Sequence, residues 1–189
     1  GKFVVLFAGN IGHSQGLETV LEAAGRLSDL DDMVFLIVGN GAARPTLEAR
    51  AARLDLRNVR FLPYQPHEVL PFMYAASDVC LVPLRRGFTN ESVPCKVYTI
   101  MAAGRPMVAS VDEGSDTWEL VRRAECGLWT EPEDAEALSQ AIRTLYADPD
   151  LRETMGRNGR RYVEEHFDWE RTLDQMEALY AELSEFPVS

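Results

Sequence analysis

The sequence predicts an α/β protein, a doubly wound parallel sheet with helices on both faces and a C-terminal helical tail. Three observations carry this reading. Short β-branched runs alternate with segments of helical periodicity. Glycine, asparagine and proline punctuate the joints between them. The alternation then stops near residue 148, where only helical patterns remain. Right-handed strand–helix–strand crossovers place helices on both faces of a parallel sheet. Ligands of such a sheet bind outside the carboxyl ends of its strands.

In chain order, FVVLFAG (Phe3–Gly9) reads as a buried strand, and Leu17, Val20, Leu21, Ala24 and Leu27 mark one face of the next helix. MVFLIVG (Met33–Gly39) is a second strand, followed by a helix over 44–54. NVRFLPY (Asn58–Tyr64) is a third strand, and a helix over 68–76 leads to DVCLVPL (Asp78–Leu84). A helix over 95–103 precedes the strand PMVAS, one over 116–124 precedes GLWT, and one over 135–146 follows. The core thus covers about 1–147. The tail, about 148–189, reads as two or three helices broken near Gly156–Gly159 and near His166–Asp168. Its last helix carries Trp169, Leu173, Met176, Leu179 or Tyr180, and Leu183 at helical spacing. That row packs either on its own domain or on another domain.

The composition is that of an ordinary globular protein, with 46% hydrophobic and 26% charged residues. A formal charge of −11 argues against nucleic acid, whose binding rests on dense Lys/Arg contacts to phosphate. It leaves room for a small anion, because a helix N-terminus binds phosphate without net positive charge. Three well-separated cysteines (Cys80, Cys95, Cys126), with no Cys-x-x-Cys or Cys/His ligand spacing, argue against zinc and for a reducing, cytoplasmic setting. The apolar runs are too short to span a bilayer. A start inside a strand, without Met, leads us to expect a further domain ahead of this one.

The first strand–helix turn, AGNIGHSQG, holds Gly9, Gly12 and Gly16. It is neither the G-x-G-x-x-G dinucleotide fingerprint nor a G-x-x-x-x-G-K-[ST] phosphate loop, which removes the usual NAD and ATP readings. A plain tight turn accounts for it equally well, and the same holds for Gly39 and Gly41. His13 could meet a ligand from this turn, whereas His67 and His166 read as surface or helix-end residues. Asp116 with Glu119 three residues on reads as a capping box, a structural device. Asp112 and Glu113 read as solvated loop carboxylates, and Cys95 as a semi-buried structural thiol. No Ser/His/Asp or Cys/His nucleophilic arrangement stands out.

GFTNESVPCKVYTIMAAGRPMVAS (Gly87–Ser110) differs because several features coincide. It follows a strand at its carboxyl end. Pro94 opens a helix whose free amides and dipole favour an anion. Lys96 adds a point charge suited to phosphate. Glu91 is an acceptor suited to hydroxyl groups. Phosphate donors beside a hydroxyl acceptor form a nucleotide-sugar pattern.

That stretch, with ELVRRAECGLWTEPEDAEALSQAI and the tail RRYVEEHFDWER, resembles the C-terminal domain of the family 4 glycosyltransferases. These are retaining enzymes of the GT-B architecture, built from two Rossmann-like domains, and the resemblance runs over essentially the whole chain. Within the family, SVPCKVYTIMAAGRP is most similar to bacterial transferases of surface polysaccharides or O-antigens, often grouped with N-acetylfucosaminyl transferases. The resemblance implies that this domain binds the nucleotide-sugar donor, UDP-N-acetylhexosamine by expectation. An N-terminal domain, absent from this chain, would bind a polysaccharide or lipid-linked acceptor. It implies no metal or other cofactor, a cytoplasmic enzyme with peripheral attachment to the membrane face open to the full-length protein, and a last helix that crosses back to the N-terminal domain.

The family motif is two glutamates separated by seven residues, the first on the donor sugar and the second on the ribose diol. The first falls on Glu91, and the second position holds Thr99. The family's basic residues in the glycine turn are replaced by Asn10 and Gln15. By resemblance, Glu91 holds sugar hydroxyls without being a covalent nucleophile. Asn10, Gln15, Ser92, Val93 and Lys96 serve the diphosphate, Gly9, Gly12 and Gly39 belong to the same substrate site, Thr99 lies near the ribose, and Pro63 and Tyr64 lie near the base. Lys96, Arg85 or Arg86 is expected to supply the missing positive charge. Two other readings stay open, a UDP-sugar 2-epimerase of the same architecture and a non-catalytic nucleotide-binding module.

Overall fold

The computed structural model describes residues 1–88, 93–167 and 169–184. Six parallel strands form one sheet in the order β3-β2-β1-β4-β5-β6. They are β1 (Phe3–Ala8), β2 (Met33–Val38), β3 (Val59–Leu62), β4 (Val79–Pro83), β5 (Met107–Ser110) and β6 (Gly127–Thr130). The chain winds outward from β1 to β3, then crosses back to lay β4 on the other side of β1. Val5 and Leu6 pair with Met33's strand at Phe35 and Leu36, and with β4 at Val79 and Cys80. The strand order therefore reverses between β1 and β4, and this reversal opens a crevice at their carboxyl ends.

Period-2 alternation sorts the strand side chains onto two cores. Val5, Phe7, Phe35, Ile37, Leu81 and Val108 face one side, where α1 (Leu17–Arg26), α2 (Arg44–Arg53) and α6 (Ala135–Ala147) cover them. Leu6, Val38, Cys80, Val82, Met107 and Ala109 face the other, with α3 (Leu70–Ala75), α4 (Cys95–Ala102) and α5 (Asp116–Ala124). Full burial of a side chain such as Phe7 or Phe35 contributes about 1.5–3 kcal/mol.

Helix starts separate into two kinds. Ser115, Asp134 and Asp148 each accept a hydrogen bond from the backbone N–H three residues on, capping α5, α6 and α7 (Pro149–His166). The cap of α5 is thus Ser115, one residue before the expected Asp116, and Glu119 instead accepts from Arg122 and Arg123. Helices α1, α2, α3 and α4 follow Gly16, Ala43, Val69 and Pro94, none of which has a side chain able to cap. Of these, α1 and α4 begin at the crevice.

The expected break at Gly156–Gly159 is absent. Helix α7 runs unbroken through both glycines because they serve packing. A Cβ on Gly156 would lie 2.2 Å from the Gly104 carbonyl oxygen, and one on Gly159 would lie 3.0 Å from Cys126 Cβ. Helix α7 ends at His166 and α8 (Trp169–Ser184) begins at Trp169, with Asp168 of the expected break outside the described residues. Leu173, Met176, Leu179, Tyr180 and Leu183 of α8 are exposed, from 38% at Leu173 to 64% at Tyr180, so these five side chains are not buried on their own domain, and the Trp169 side chain lies outside the described ones. Among the described residues no helix is long and apolar enough to cross a membrane.

Candidate functional site

The turn after β1 is tied to its neighbours by backbone. Gly9 N–H donates to Val38 O, Ile11 N–H to Asn40 O, Ala43 N–H to Ile11 O, and Arg85 N–H, after β4, to Ser14 O. The approach is so close that a Cβ on Gly39 would lie 1.9 Å from Gly9 O, and Gly39 has φ +143°. Only glycine meets both conditions. Arg44 closes the rim: its Nη1 donates to Gly39 O, Asn40 Oδ1 and Leu62 O while its Nε pairs with Glu48.

Within this frame lies a pocket of about 320 Å³ at the β1/β4 reversal. Gly9, Asn10, Gln15 and Gly39 line it from the turns, Tyr64 and Gln65 from beyond β3, Met73 and Tyr74 from α3, and Cys95, Lys96 and Thr99 from α4. Lys96 is the cation of this wall. Its Nζ donates to Gln15 Oε1 at 2.6 Å, stands 4.2 Å from the centre of the Phe7 ring, and would be 3.2 Å from a Cβ on Gly9. Burial pulls its ammonium down to about 8, an effect partly opposed by the neighbouring Cys95. A charge in so little water attracts an anion more strongly than one on the surface.

The other candidates for the missing charge are engaged elsewhere. Arg85 pairs with Glu18 at 2.8 Å and Arg86 with Glu131 at 3.2 Å. Thr99 lines the pocket and its hydroxyl donates to Cys95 O, one turn back, so its lone pairs are what it can offer a ligand.

The structure brings Gly9, Asn10, Gln15, Gly39, Tyr64, Lys96 and Thr99 to one cavity. Gly12 sits in the same turn without lining the cavity, and Pro63 borders it, its carbonyl accepting from Gln65. Val93 faces a separate hollow beside Tyr98 and Asp116. Glu91 and Ser92 lie outside the described residues. His13 is exposed in the turn and does not line the pocket. Cys95 is exposed, not semi-buried, and lines the site. Asp112 is not a merely solvated carboxylate, since its Oδ2 accepts from Gly87 N–H at 2.8 Å. The sequence reading missed the α3 wall (Leu70, Met73, Tyr74) and Arg44, for which no local pattern gave a signal.

Comparison with known proteins assigns the family. The family model described as "Glycosyl transferases group 1" matches residues 1–162. WcaI, a glycosyl transferase of Escherichia coli (strain K12) named for colanic acid biosynthesis, is 35% identical over 175 residues, covering 92% of this chain and 42% of that protein. A D-inositol 3-phosphate glycosyltransferase of Geodermatophilus obscurus is 35% identical over 193 residues, 96% of this chain and 41% of the relative. The chain thus spans less than half the length of these relatives. Among solved structures, sucrose-phosphate synthase from Thermosynechococcus elongatus superposes with a TM-score of 0.84 at 32% identity, over 96% of this chain and 45% of its own. HepE of Anabaena, solved in complex with UDP, shares the fold with a TM-score of 0.84 at 21% identity, over 96% of this chain and 49% of its own. On the family match and the identity to WcaI, the chain belongs to the group 1 glycosyl transferases.

Proposed function

We propose that this chain is the donor-binding half of a retaining glycosyltransferase that takes UDP-N-acetylhexosamine and passes the sugar to a polysaccharide or lipid-linked acceptor. The observation that carries the reading is the position of Lys96. Its ammonium stands against Gly9 and Gln15, at the turn where the resembling family keeps basic residues for the diphosphate. The uncapped starts of α1 and α4 add amide donors at the same mouth. Tyr64, Met73 and Tyr74 offer an apolar slot for the base, and Thr99 an acceptor for one ribose hydroxyl. Glu91 is assigned to the hydroxyls of the transferred sugar on its sequence motif.

In this reading the acceptor hydroxyl attacks the anomeric carbon from the face the diphosphate leaves. The carbon–oxygen bond to the diphosphate breaks, its electron pair stays on the diphosphate, and a diphosphate oxygen takes the acceptor's proton. Lys96 and the amides stabilise the charge that accumulates on the leaving group, and positioning supplies the rest. The exposed row of α8 docks on the acceptor domain, and the isolated chain binds nucleotide without turnover.

The replacement of the second glutamate by Thr99 favours a second reading, a module that binds nucleotide and does not transfer. Calorimetry with UDP, GDP and ADP, repeated on Glu91→Ala with UDP-sugars, tests the proposal. It expects a preference for UDP among bare nucleotides and a loss on mutation only when the sugar is attached. Equal affinity for all three nucleotides would remove the uridine assignment, and an unchanged Glu91→Ala would remove the sugar contact. Turnover of a UDP-sugar to its 2-epimer by the enzyme without acceptor would favour the epimerase.

A further inference from the structure

A second polar cavity lies at the opposite, amino ends of the strands. It is a groove of about 500 Å³ between α7 and the turn that leads from α4 into β5. Five arginines line it, Arg105, Arg152, Arg157, Arg160 and Arg161, against three carboxylates. The local balance is therefore positive in a chain of formal charge −11.

The carboxylates are already occupied. Asp78 accepts from the Val4 N–H at 2.7 Å, Glu153 pairs with Arg157, and Glu164 pairs with Arg160. Three of the arginines are anchored by backbone carbonyls, which fix a guanidinium without themselves neutralising it, although Arg160 also has Glu164 as a carboxylate partner. Arg105 donates to Ala75 O, Arg160 to Ala102 O, and Arg152 to Leu145 O and Tyr146 O while lying 5.1 Å over the Phe3 ring. The Nε of Arg105 is buried with no acceptor of its own, so this head keeps its charge largely uncompensated by the fold.

A row of fixed, planar guanidinium forks with spare N–H groups matches the oxygens of a phosphate group better than it matches any neutral ligand. We infer that this arginine groove is a second phosphate-recognition site, separate from the pocket at the other end of the sheet, for a ligand bearing phosphate as a free anion or as a lipid headgroup. The inference is independent of what the first pocket binds, because the two cavities share no lining residue.

The test follows the arginine Nε–H resonances of the 189-residue chain by NMR while sodium pyrophosphate is added at constant ionic strength. The groove arginines should shift saturably, with half-saturation below about 1 mM, a few kcal/mol of binding. Arg157 and Arg161 are exposed on α7, so Arg157→Ala/Arg161→Ala should keep the helix content by circular dichroism and weaken the response at least tenfold. Lys96→Ala should leave it intact. Flotation with phosphatidylglycerol vesicles separates the sources: vesicle binding lost in the double variant assigns a lipid headgroup, and pyrophosphate binding without vesicle binding assigns a free phosphate. Failure of both ligands to bind, a response equal in the parent and the double variant, or a response abolished by Lys96→Ala would each overturn the inference.

Discussion

The two ends of the sheet treat positive charge in opposite ways. At the carboxyl ends a single half-buried lysine stands among glycines and apolar side chains, stacked on Phe7. At the amino ends five arginines crowd a groove open to solvent. A count of charges would choose the groove as the anion site of the molecule. Solvation favours the pocket per charge, because water and salt screen exposed guanidinium groups within about 10 Å at ordinary ionic strength. What Lys96 loses in hydration it regains only when an anion arrives. The difference teaches that a count of charges and their degree of desolvation rank the two ends of the sheet in opposite order.

Both ends also rest on a glycine pressed against backbone, which gives the largest effect for comparing them. Gly39→Ala places a Cβ 1.9 Å from Gly9 O and should cost about 4 kcal/mol or more, lowering the melting temperature by roughly 8 °C or more in thermal unfolding. Gly156→Ala, 2.2 Å from Gly104 O, should be comparably damaging at the groove end. Gly114→Ala has a positive φ of +79° and nothing within 4 Å, so it should cost only about 1–2 kcal/mol. Equal losses at all three positions would show that the close approaches carry no special weight.

The next effect is on pH. The folded Lys96 releases its proton near pH 8, against a usual 10.5. Its burial therefore costs folding stability in full below pH 8, and that cost fades as pH rises toward 10.5. Anion binding runs the other way, because it requires the charged form. Nucleoside diphosphate affinity should hold up to pH 8 and then fall, approaching tenfold per pH unit, with proton uptake on binding visible as a buffer-dependent heat. Lys96→Arg should flatten this profile, since arginine stays charged throughout. A profile of the same shape in Lys96→Arg would place the titrating group elsewhere.

A smaller effect concerns the ribose. Thr99→Glu restores an acceptor for two hydroxyls and should tighten UDP several-fold, on the order of 1 kcal/mol, without changing deoxy-UDP as much. Equal gains for both nucleotides would indicate a general electrostatic change instead of a diol contact.

Much of the fold was legible because burial writes itself into local pattern. The runs FVVLFA and MVFLIV alternate onto two cores, and α1 announces its apolar face in Leu17, Val20, Leu21 and Ala24. The failures have physical causes. Gly156 and Gly159 look like breakers along the chain and act as spacers across it, because the contact they serve is with Gly104 and Cys126, far away in sequence. Asp116 looked like a cap because Glu119 follows at capping-box spacing, but Ser115 had already taken that place. In the site, Lys96 was legible from residue chemistry at a helix start, and Gln15 and Thr99 through the resemblance to the family. Tyr74 and Met73 were not, since their place beside α4 depends on the crossover from β3 to β4, which no local pattern records. Nor was Arg44, whose acceptors on Gly39, Asn40 and Leu62 meet only in the folded rim.

The most direct test of the account is calorimetry of UDP binding to the parent chain and to Lys96→Ala at pH 7. The account predicts measurable binding by the parent and a loss of about 10- to 100-fold in the variant, the worth of a charge-assisted hydrogen bond. Undiminished affinity in Lys96→Ala would contradict it.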